Sequence, residues 1–327
     1  MTVVGIFLFV VTVFLIFFRY YSADRRYPFP RYGYAGAAIL LAGELLMFAG
    51  VEPVATYFTP TAWTGYILWA DAAVFSLQGR SLLKSFAAEF AWIVACSIPL
   101  WLIFEAYNLR LANWVYVGLP ENIVARNFGY GWSFATIWPG IFETAALLRA
   151  LSRHQRSVVQ TDTRTASDSG GGHRPISVAA SLIAVAGLLL LAVPPLLPQR
   201  ISAYLFGAVW LGFILLLEPV NYRTGRESLW RDFKQGRTSR MVSLLGAGLI
   251  CGIFWEFWNF WAPARWVYTV PILPEWKIFA MPLPGYLGFP PFAVECFVLF
   301  AFLVPVINAM LRKLGFRKIF RAEALHL

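Results

Sequence analysis

The sequence predicts an all-α fold: a polytopic membrane helical bundle of about nine transmembrane helices, built as two parallel tandem repeats of four behind an N-terminal anchor helix. Three observations predict it. Of the 327 residues, 59% are hydrophobic and 13% charged, and the mean hydropathy is +0.63. A soluble domain is about half apolar and about a quarter charged, so this chain has more apolar sequence than a water-solvated core can hide. The apolar residues fall in nine runs, and acidic and aromatic residues recur in the same order in two of the later stretches.

The runs cover about residues 3–18, 33–51, 57–77, 86–108, 129–150, 176–193, 201–218, 241–261 and 286–311. Most approach the ~20 residues that cross ~30 Å of hydrocarbon at helical rise. Pro60, Asp71 and Glu218 interrupt or bound the third and seventh. The first run lacks a basic start and an Ala-x-Ala exit, and Arg19, Arg25 and Arg26 follow it directly, so it reads as an anchor and not a cleaved signal. The expected organisation is an anchor helix and basic loop (1–31), a first four-helix repeat (32–156), a flexible cytoplasmic linker (157–175) rich in Ser, Thr, Asp and Gly, and a second repeat with a basic tail (176–327).

Basic residues set the orientation. Alternate loops and tails hold 22 of the 27 Lys and Arg, and the intervening ones hold only Arg110, Arg126, Arg200, Arg265 and Lys277. Loops rich in Lys and Arg stay in the cytoplasm, so the N-terminus is expected outside and the C-terminus inside, across a plasma (inner) membrane. The net charge of +10 is then a topology signal that attracts anionic headgroups, and not a nucleic-acid footprint. Membrane lipids and a lipophilic small molecule are the expected partners; the oligomeric state stays open.

Cys96, Cys251 and Cys296 all lie in apolar runs, as small buried hydrophobes do, and suggest no disulfide framework. His154, His173 and His326 lie in polar loops or tails. No metal or cofactor is expected, and chemistry inside the bilayer would rest on carboxyls, amides and aromatics.

The repeat is carried by motifs. Ile103-Phe104-Glu105-Ala106-Tyr107-Asn108 matches Phe254-Trp255-Glu256-Phe257-Trp258-Asn259, and Trp114-Val115-Tyr116 matches Trp266-Val267-Tyr268. A second acid follows in each, Glu143 and Glu295, 38 residues after Glu105 and 39 after Glu256. Upstream, Trp63-Thr64-Gly65 matches Trp210-Leu211-Gly212, Asp71 matches Glu218, and Ser81-Leu82 matches Ser228-Leu229. Four spans per unit is an even number, so the copies share one orientation.

A carboxyl inside the membrane is costly and marks a functional site unless the bundle satisfies it. The candidate catalytic residues are Glu105, Glu143, Glu256 and Glu295, with Asn108 and Asn259 orienting the first acid of each copy from position i+3 on the same helical face. Glu256 lies ~24 Å from Arg240 and Glu295 ~26 Å from Arg312 at helical rise, which puts both at one depth and allows a carboxyl pair. Trp114, Tyr116, Trp255, Trp258, Trp266 and Tyr268 are the candidate substrate-binding residues, as π faces able to stabilise a cation. Other acids have plainer readings. Asp71 is placed to pair with Arg80, and Glu218 with Arg223 and Arg226; the group of Glu218, Asn221, Arg223, Arg226 and Ser228 could alternatively hold a headgroup; Glu44 stands alone.

The order of Trp-acid, Trp-x-Tyr, then a Gly/Pro stretch leading to Pro and Glu resembles the membrane-embedded lycopene cyclase domain of the bacterial heterodimeric and fungal bifunctional enzymes. The resemblance covers about two-thirds of the chain and implies two related three-span halves joined by a linking helix. It places Trp255-Glu256 and Phe104-Glu105 at the family's Trp-Asp, and Glu143 and Glu295 near its Pro-x-Glu-Glu. Neither half has adjacent glutamates, and neither has Asp at the first acid, which departs from the family's pattern and argues against lycopene; the implied substrate is a lipophilic isoprenoid or related lipid. The implied activity is cofactor-independent protonation with cyclisation or isomerisation. A transporter or lipid-binding protein with its site at the repeat interface, and a membrane-complex scaffold, are the competing readings. An aromatic cavity favours the enzyme, a polar path to water on both faces the transporter, and packed carboxyls without a cavity the scaffold.

Overall fold

The computed structural model describes residues 1–156 and 178–315. The linker expected over 157–175, most of the basic tail and all three histidine side chains lie outside the described residues. In chain order come α1 (Thr2–Ser22), α2 (Arg31–Phe48), α3 (Phe58–Gln78), the short α4 (Leu82–Ser85), α5 (Ala87–Leu111), strand β1 (Trp114–Val117), α6 (Ile123–Ala135) and α7 (Ile137–Arg156). They are followed by α8 (Val178–Leu196), the short α9 (Gln199–Ser202), α10 (Phe206–Arg223), α11 (Leu229–Lys234), α12 (Ser239–Trp261) and β2 (Arg265–Tyr268). Last are β3 (Lys277–Ile278), β4 (Met281–Pro282), a 3₁₀ turn (Leu283–Gly288) and α13 (Phe289–Lys313).

The chain is thus mostly helical. Among the described residues, five segments are long and apolar enough to cross a membrane: α1, α5, α8, α12, and α13 with its preceding 3₁₀ turn. They divide by burial. The most apolar windows of α12 and α13 are 61% and 56% buried, whereas those of α1 and α8 are 11% and 17% buried. The first pair is therefore the centre of the bundle, and the second pair turns its apolar side chains, such as Val3, Phe7, Leu182 and Leu188, outward. In water such faces would be a liability; against lipid they need no cover. A stacked pair, Phe9 on Phe257 with centroids 3.6 Å apart, fixes α1 against α12.

Glycine sets two of the closest helix contacts. A Cβ on Gly36 of α2 would lie 2.6 Å from the carbonyl oxygen of Gly65 on α3, and one on Gly187 of α8 would lie 2.7 Å from that of Gly212 on α10. Small residues let helix backbones approach where there is no water to drive association. At the centre, Gly248 of α12 passes the carbonyl of Phe289 and Gly252 passes its ring, which locks α12 to the start of α13.

Two acids expected to pair with arginines have another task. Asp71 accepts from Ser81 Oγ at 2.8 Å and from the Leu83 amide at 2.7 Å. Glu218 accepts from Ser228 Oγ at 2.6 Å and from the Trp230 amide at 2.8 Å. Ser81 and Ser228 are the N-caps of α4 and α11. Each acid satisfies amides that a helix start leaves without an intrahelical partner. The suggested headgroup site around Glu218 is likewise consumed: Asn221 donates to the Val298 carbonyl and Arg226 to that of Phe302, tying α10 to α13.

Two expectations need correction. The fold is mostly but not purely α-helical, because the Trp-Val-Tyr segments are strands that pair with each other. The run over 129–150 is not one helix, because the chain breaks at Thr136 between α6 and α7. Ser97 of α5 accounts for the break. Its hydroxyl donates to the Phe134 carbonyl and accepts from the Trp138 amide, so it holds groups that a continuous helix would pair internally. Pro139 then sits in the first turn of α7, where its missing N–H costs nothing.

The glycine contacts are testable. Gly65→Val and Gly212→Val are each expected to lower stability by about 1–3 kcal/mol or more through overpacking. Gly207→Val on α10, where a Cβ meets nothing within 4 Å, should be near neutral. Thermal unfolding in detergent reads the difference, and equal effects at Gly207 and Gly212 would remove the close-approach explanation.

Candidate functional site

Strand alternation builds the site. Side chains at i and i+2 of a strand share a face, so Trp-x-Tyr presents both rings on one side. β1 and β2 then pair antiparallel in the register Trp114 to Tyr268, Val115 to Val267, Tyr116 to Trp266 and Val117 to Arg265. All four aromatic residues therefore fall on one face of a two-stranded ribbon whose strands come from segments about 150 residues apart. The Thr269 amide continues the ladder, donating to the Asn113 carbonyl at 2.9 Å.

The two asparagines hold this ribbon to the helix ends. Asn108 Nδ2 donates to the Trp114 carbonyl at 2.8 Å, and its Oδ1 accepts from the amides of Asn113 at 2.7 Å and Trp114 at 3.2 Å. Asn259 does the same at Trp266, with Nδ2 on the carbonyl at 2.8 Å and Oδ1 on the amide at 2.9 Å. Both side chains thus position strand backbone. The carboxyl one turn earlier is reached by the strand's own tyrosine instead.

Glu105 Oε1 accepts from Tyr116 Oη at 2.5 Å, Trp101 Nε1 at 2.8 Å and Trp114 Nε1 at 3.3 Å. Glu256 Oε1 accepts from Tyr268 Oη at 2.7 Å, and that hydroxyl accepts from Trp266 Nε1 at 2.7 Å. The copies differ here. Three donors hold the half-buried Glu105, whereas Glu256 is fully buried and its Oε2 has no hydrogen-bond partner. Trp114 Nε1 reaches Glu105 where Trp266 Nε1 stops at the tyrosine, and a second difference lies one turn before each acid. It is Trp101 in α5, but Gly252 in α12, where the Phe289 ring takes the space. Burial pushes the Tyr116 and Tyr268 phenols well above their usual range, and the charge of the glutamate beside each pushes the same way. Both hydroxyls therefore keep their protons and act as donors.

The ribbon covers a cavity of about 320 Å³. Trp114, Tyr116, Trp266 and Tyr268 line it from the strands. Trp63 of α3, Trp101 of α5, Trp210 of α10, Trp255 of α12 and Phe289 and Phe292 of α13 line it from the bundle. Helices from the first and second stretches of the chain thus share one aromatic chamber. No acid is in the lining; Arg126 and Arg265 are its charged residues.

Of the residues singled out from the sequence, the structure brings Trp114, Tyr116, Trp255, Trp266 and Tyr268 into this lining and sets Glu105 and Glu256 directly behind the tyrosines. Trp258 goes elsewhere: it is 1% exposed and donates to Glu44 Oε1 at 3.1 Å, which also gives the solitary Glu44 a partner. Glu143 and Glu295 are fully buried on α7 and α13, outside the lining, with no hydrogen-bond partner on either oxygen. The expected Glu256–Glu295 pair is accordingly not hydrogen-bonded; Glu256 turns to the ribbon. Glu143 lies beside the fully buried Asp71, which also accepts from Tyr32 at 2.5 Å.

Sequence reasoning missed Trp63, Trp101, Trp210, Arg126 and Arg265 as lining residues. Trp63 and Trp210 stood at matched positions of the two motifs, and that correspondence was the available signal. No protein-family model, curated protein or solved structure matches the chain.

Two measurements check the geometry. Asn259→Ala leaves the Trp266 amide and carbonyl without their partner and is expected to cost about 1–3 kcal/mol, more than Tyr268→Phe, in thermal unfolding. Because the folded phenols are raised, their stabilisation is complete below the unfolded tyrosine value of about 10 and is lost as pH rises above it. Stability should be flat from pH 8 to about pH 10 on this count and then fall, with a shallower fall in the Tyr116→Phe, Tyr268→Phe double variant.

Proposed function

We propose that the chain is an integral membrane enzyme that takes a lipophilic isoprenoid or related lipid into the aromatic chamber and isomerises or cyclises it by proton transfer. In this reading nine helices span the membrane, with the N-terminus outside and two parallel copies, α2–α7 and α8–α13, behind the α1 anchor. Recurrence supports the two copies: the Gly36–Gly65 and Gly187–Gly212 contacts, the Asp71 and Glu218 caps, the Asn108 and Asn259 clamps and the two Glu–Tyr pairs occupy matched positions. The likeness of the motifs to the lycopene cyclase domain points the same way.

One observation carries the functional reading. Two tyrosines, each hydrogen-bonded through its hydroxyl to a glutamate, line one cavity walled by tryptophan. Glu256 and Tyr268 form one proton relay, and Glu105 and Tyr116 the other. A proton delivered to a carbon–carbon double bond uses that bond's π electrons to form a C–H bond and leaves a cation on the neighbouring carbon. A second double bond of the chain can attack the cation to close a ring. Loss of a proton from an adjacent carbon to the other relay then restores a double bond. Return of that proton from the accepting relay to the donating one resets the enzyme, so no net proton, electron or cofactor is consumed and substrate and product have one mass. Faces of Trp63, Trp255 and Trp266 shield the cation and exclude water. The less satisfied Glu256 is the better proton donor, and Glu105, whose three donors favour the ionised form, is the carboxylate free to take a proton.

A transporter or lipid-binding protein would also use a cavity between copies, but without chemistry. Lipid extracts of cells expressing the native chain or the Glu105→Gln, Glu256→Gln double variant separate the readings. A lipid converted to a same-mass isomer by the native chain, with at least tenfold less product from the variant, is the expected mass-spectrometric result. Identical extracts with both proteins in the membrane would leave binding or transport.

A further inference from the structure

Two stretches of the chamber wall match in sequence and differ in closure. Trp63 and Trp210 stand at matched positions, so the residues six and three before them match as well: Tyr57 and Pro60 at the start of α3, Tyr204 and Gly207 at the start of α10. All four line the cavity. On the α3 side the wall is sealed. Pro60 is buried, and Tyr57 donates to the Ala125 carbonyl of α6 at 3.1 Å and meets the Phe128 ring edge-on at 5.5 Å. A Cβ on Gly129 of α6 would lie 3.1 Å from the same tyrosine ring, so helix and ring are in contact.

The α10 side lacks that cover. Where α6 has thirteen residues, the chain before α13 has only the six-residue 3₁₀ turn. Gly288 of that turn receives the Trp210 ring, but one turn earlier on α10 a Cβ on Gly207 would meet nothing within 4 Å. Tyr204, Gly207 and Arg265 are the exposed residues of the lining, and the ribbon register puts the Arg265 side chain on the face opposite the four aromatic rings. Gly207 has no side chain, so its few atoms both border the cavity and are exposed. Leu211, one turn on along the same face of α10, is 47% exposed and is not in the lining, so that face looks outward. The exposed side chains around this corner, Ile201, Leu211 and Leu287 of the 3₁₀ turn, are apolar. They suit a border with acyl chains better than one with water. On its other side the corner is fixed to the ribbon, by Asn113 Nδ2 on the Ala203 carbonyl at 2.8 Å and by Phe206 against the Trp114 ring at 4.9 Å.

We propose that the gap beside Gly207 is a lateral portal, through which an apolar lipid tail passes between the bilayer and the tryptophan-lined chamber. This rests on the lipophilic-ligand reading above and adds the route.

The test uses the full chain in phosphatidylcholine nanodiscs, with the three native cysteines replaced by alanine and Gly207→Cys introduced. Benzyl methanethiosulfonate puts a removable plug on the new thiol, and dithiothreitol takes it off. The probe is a geranylgeraniol analogue with a diazirine on its tail, and brief photolabelling of chamber residues is read by mass spectrometry. A blocked route lowers the association rate, so the plug is expected to cut chamber labelling by about fivefold or more, and reduction should restore it. The same plug on Leu211→Cys should leave labelling unchanged. Probe loaded before the plug should stay when excess empty nanodiscs are added, and leave once the plug is reduced. Unchanged labelling with the plug at position 207, an equal loss from the plug at position 211, or escape of preloaded probe past the plug overturns the portal and leaves a lipophilic chamber entered elsewhere. An introduced thiol at position 207 that does not react overturns the gap on which the portal rests. No chamber labelling in the unplugged protein overturns the proposed function and the portal with it.

Discussion

The backbone pairing of Trp114–Val117 with Arg265–Tyr268 is the interaction on which the candidate site depends. A strand outside a helix must find partners for its amides and carbonyls, and in an apolar setting each unpaired group costs several kcal/mol. Each strand finds them in the other. The cost of leaving either strand alone therefore holds the two stretches of chain together, and the alternation of strand side chains turns that constraint into a roof of four aromatic rings. Asn108 and Asn259 extend the constraint to α5 and α12, so the glutamates on those helices meet tyrosines at a fixed distance.

The same local design has two electrostatic outcomes. Trp101 adds a third donor to Glu105, while Gly252 at the corresponding turn admits the Phe289 ring and no indole reaches the buried Glu256 from there. The aromatic-to-glycine difference removes one donor, and the turn of Trp266 Nε1 to the Tyr268 hydroxyl, where Trp114 Nε1 reaches Glu105, removes the other. The two matched walls of the chamber are thus backed by carboxyls that are unequally satisfied.

Much of this was legible in the sequence, for reasons tied to particular residues. Helices are local, so each of the nine apolar runs contains a long helix, and the composition of five of them suits a membrane. The Trp-x-Tyr repeat and its Glu-x-x-Asn precursor marked the right residues because matched spacing records matched geometry. Long-range pairings left weaker traces. Nothing near Thr136 shows that Ser97, about forty residues earlier, would break the fifth run. Nothing near Glu44 shows that Trp258 would reach it from the far end of the chain. The strand pairing was missed for the same reason: four residues of β1 carry no mark of a partner about 150 positions away, and a two-residue alternation is too short to read as a strand alone. Asn108 and Asn259 were recognised as a pair but given the carboxyl as partner, because helical spacing shows which face a side chain shares and not which backbone will be folded against it.

The register of the ribbon is the most direct test. With the three native cysteines replaced by alanine, the substitutions Val115→Cys and Val267→Cys stand directly opposite each other. Opposed Cβ atoms in such a pair are about 4.5–5.5 Å apart, within reach of a short bifunctional thiol reagent. Cross-linking in membranes should be fast when Val115→Cys is combined with Val267→Cys. It should be much slower when Val115→Cys is combined with Trp266→Cys or Tyr268→Cys, because side chains at those two positions leave the opposite face of the ribbon. Equal rates for all three combinations, or no cross-link between positions 115 and 267, would contradict the pairing and with it the chamber that the pairing closes.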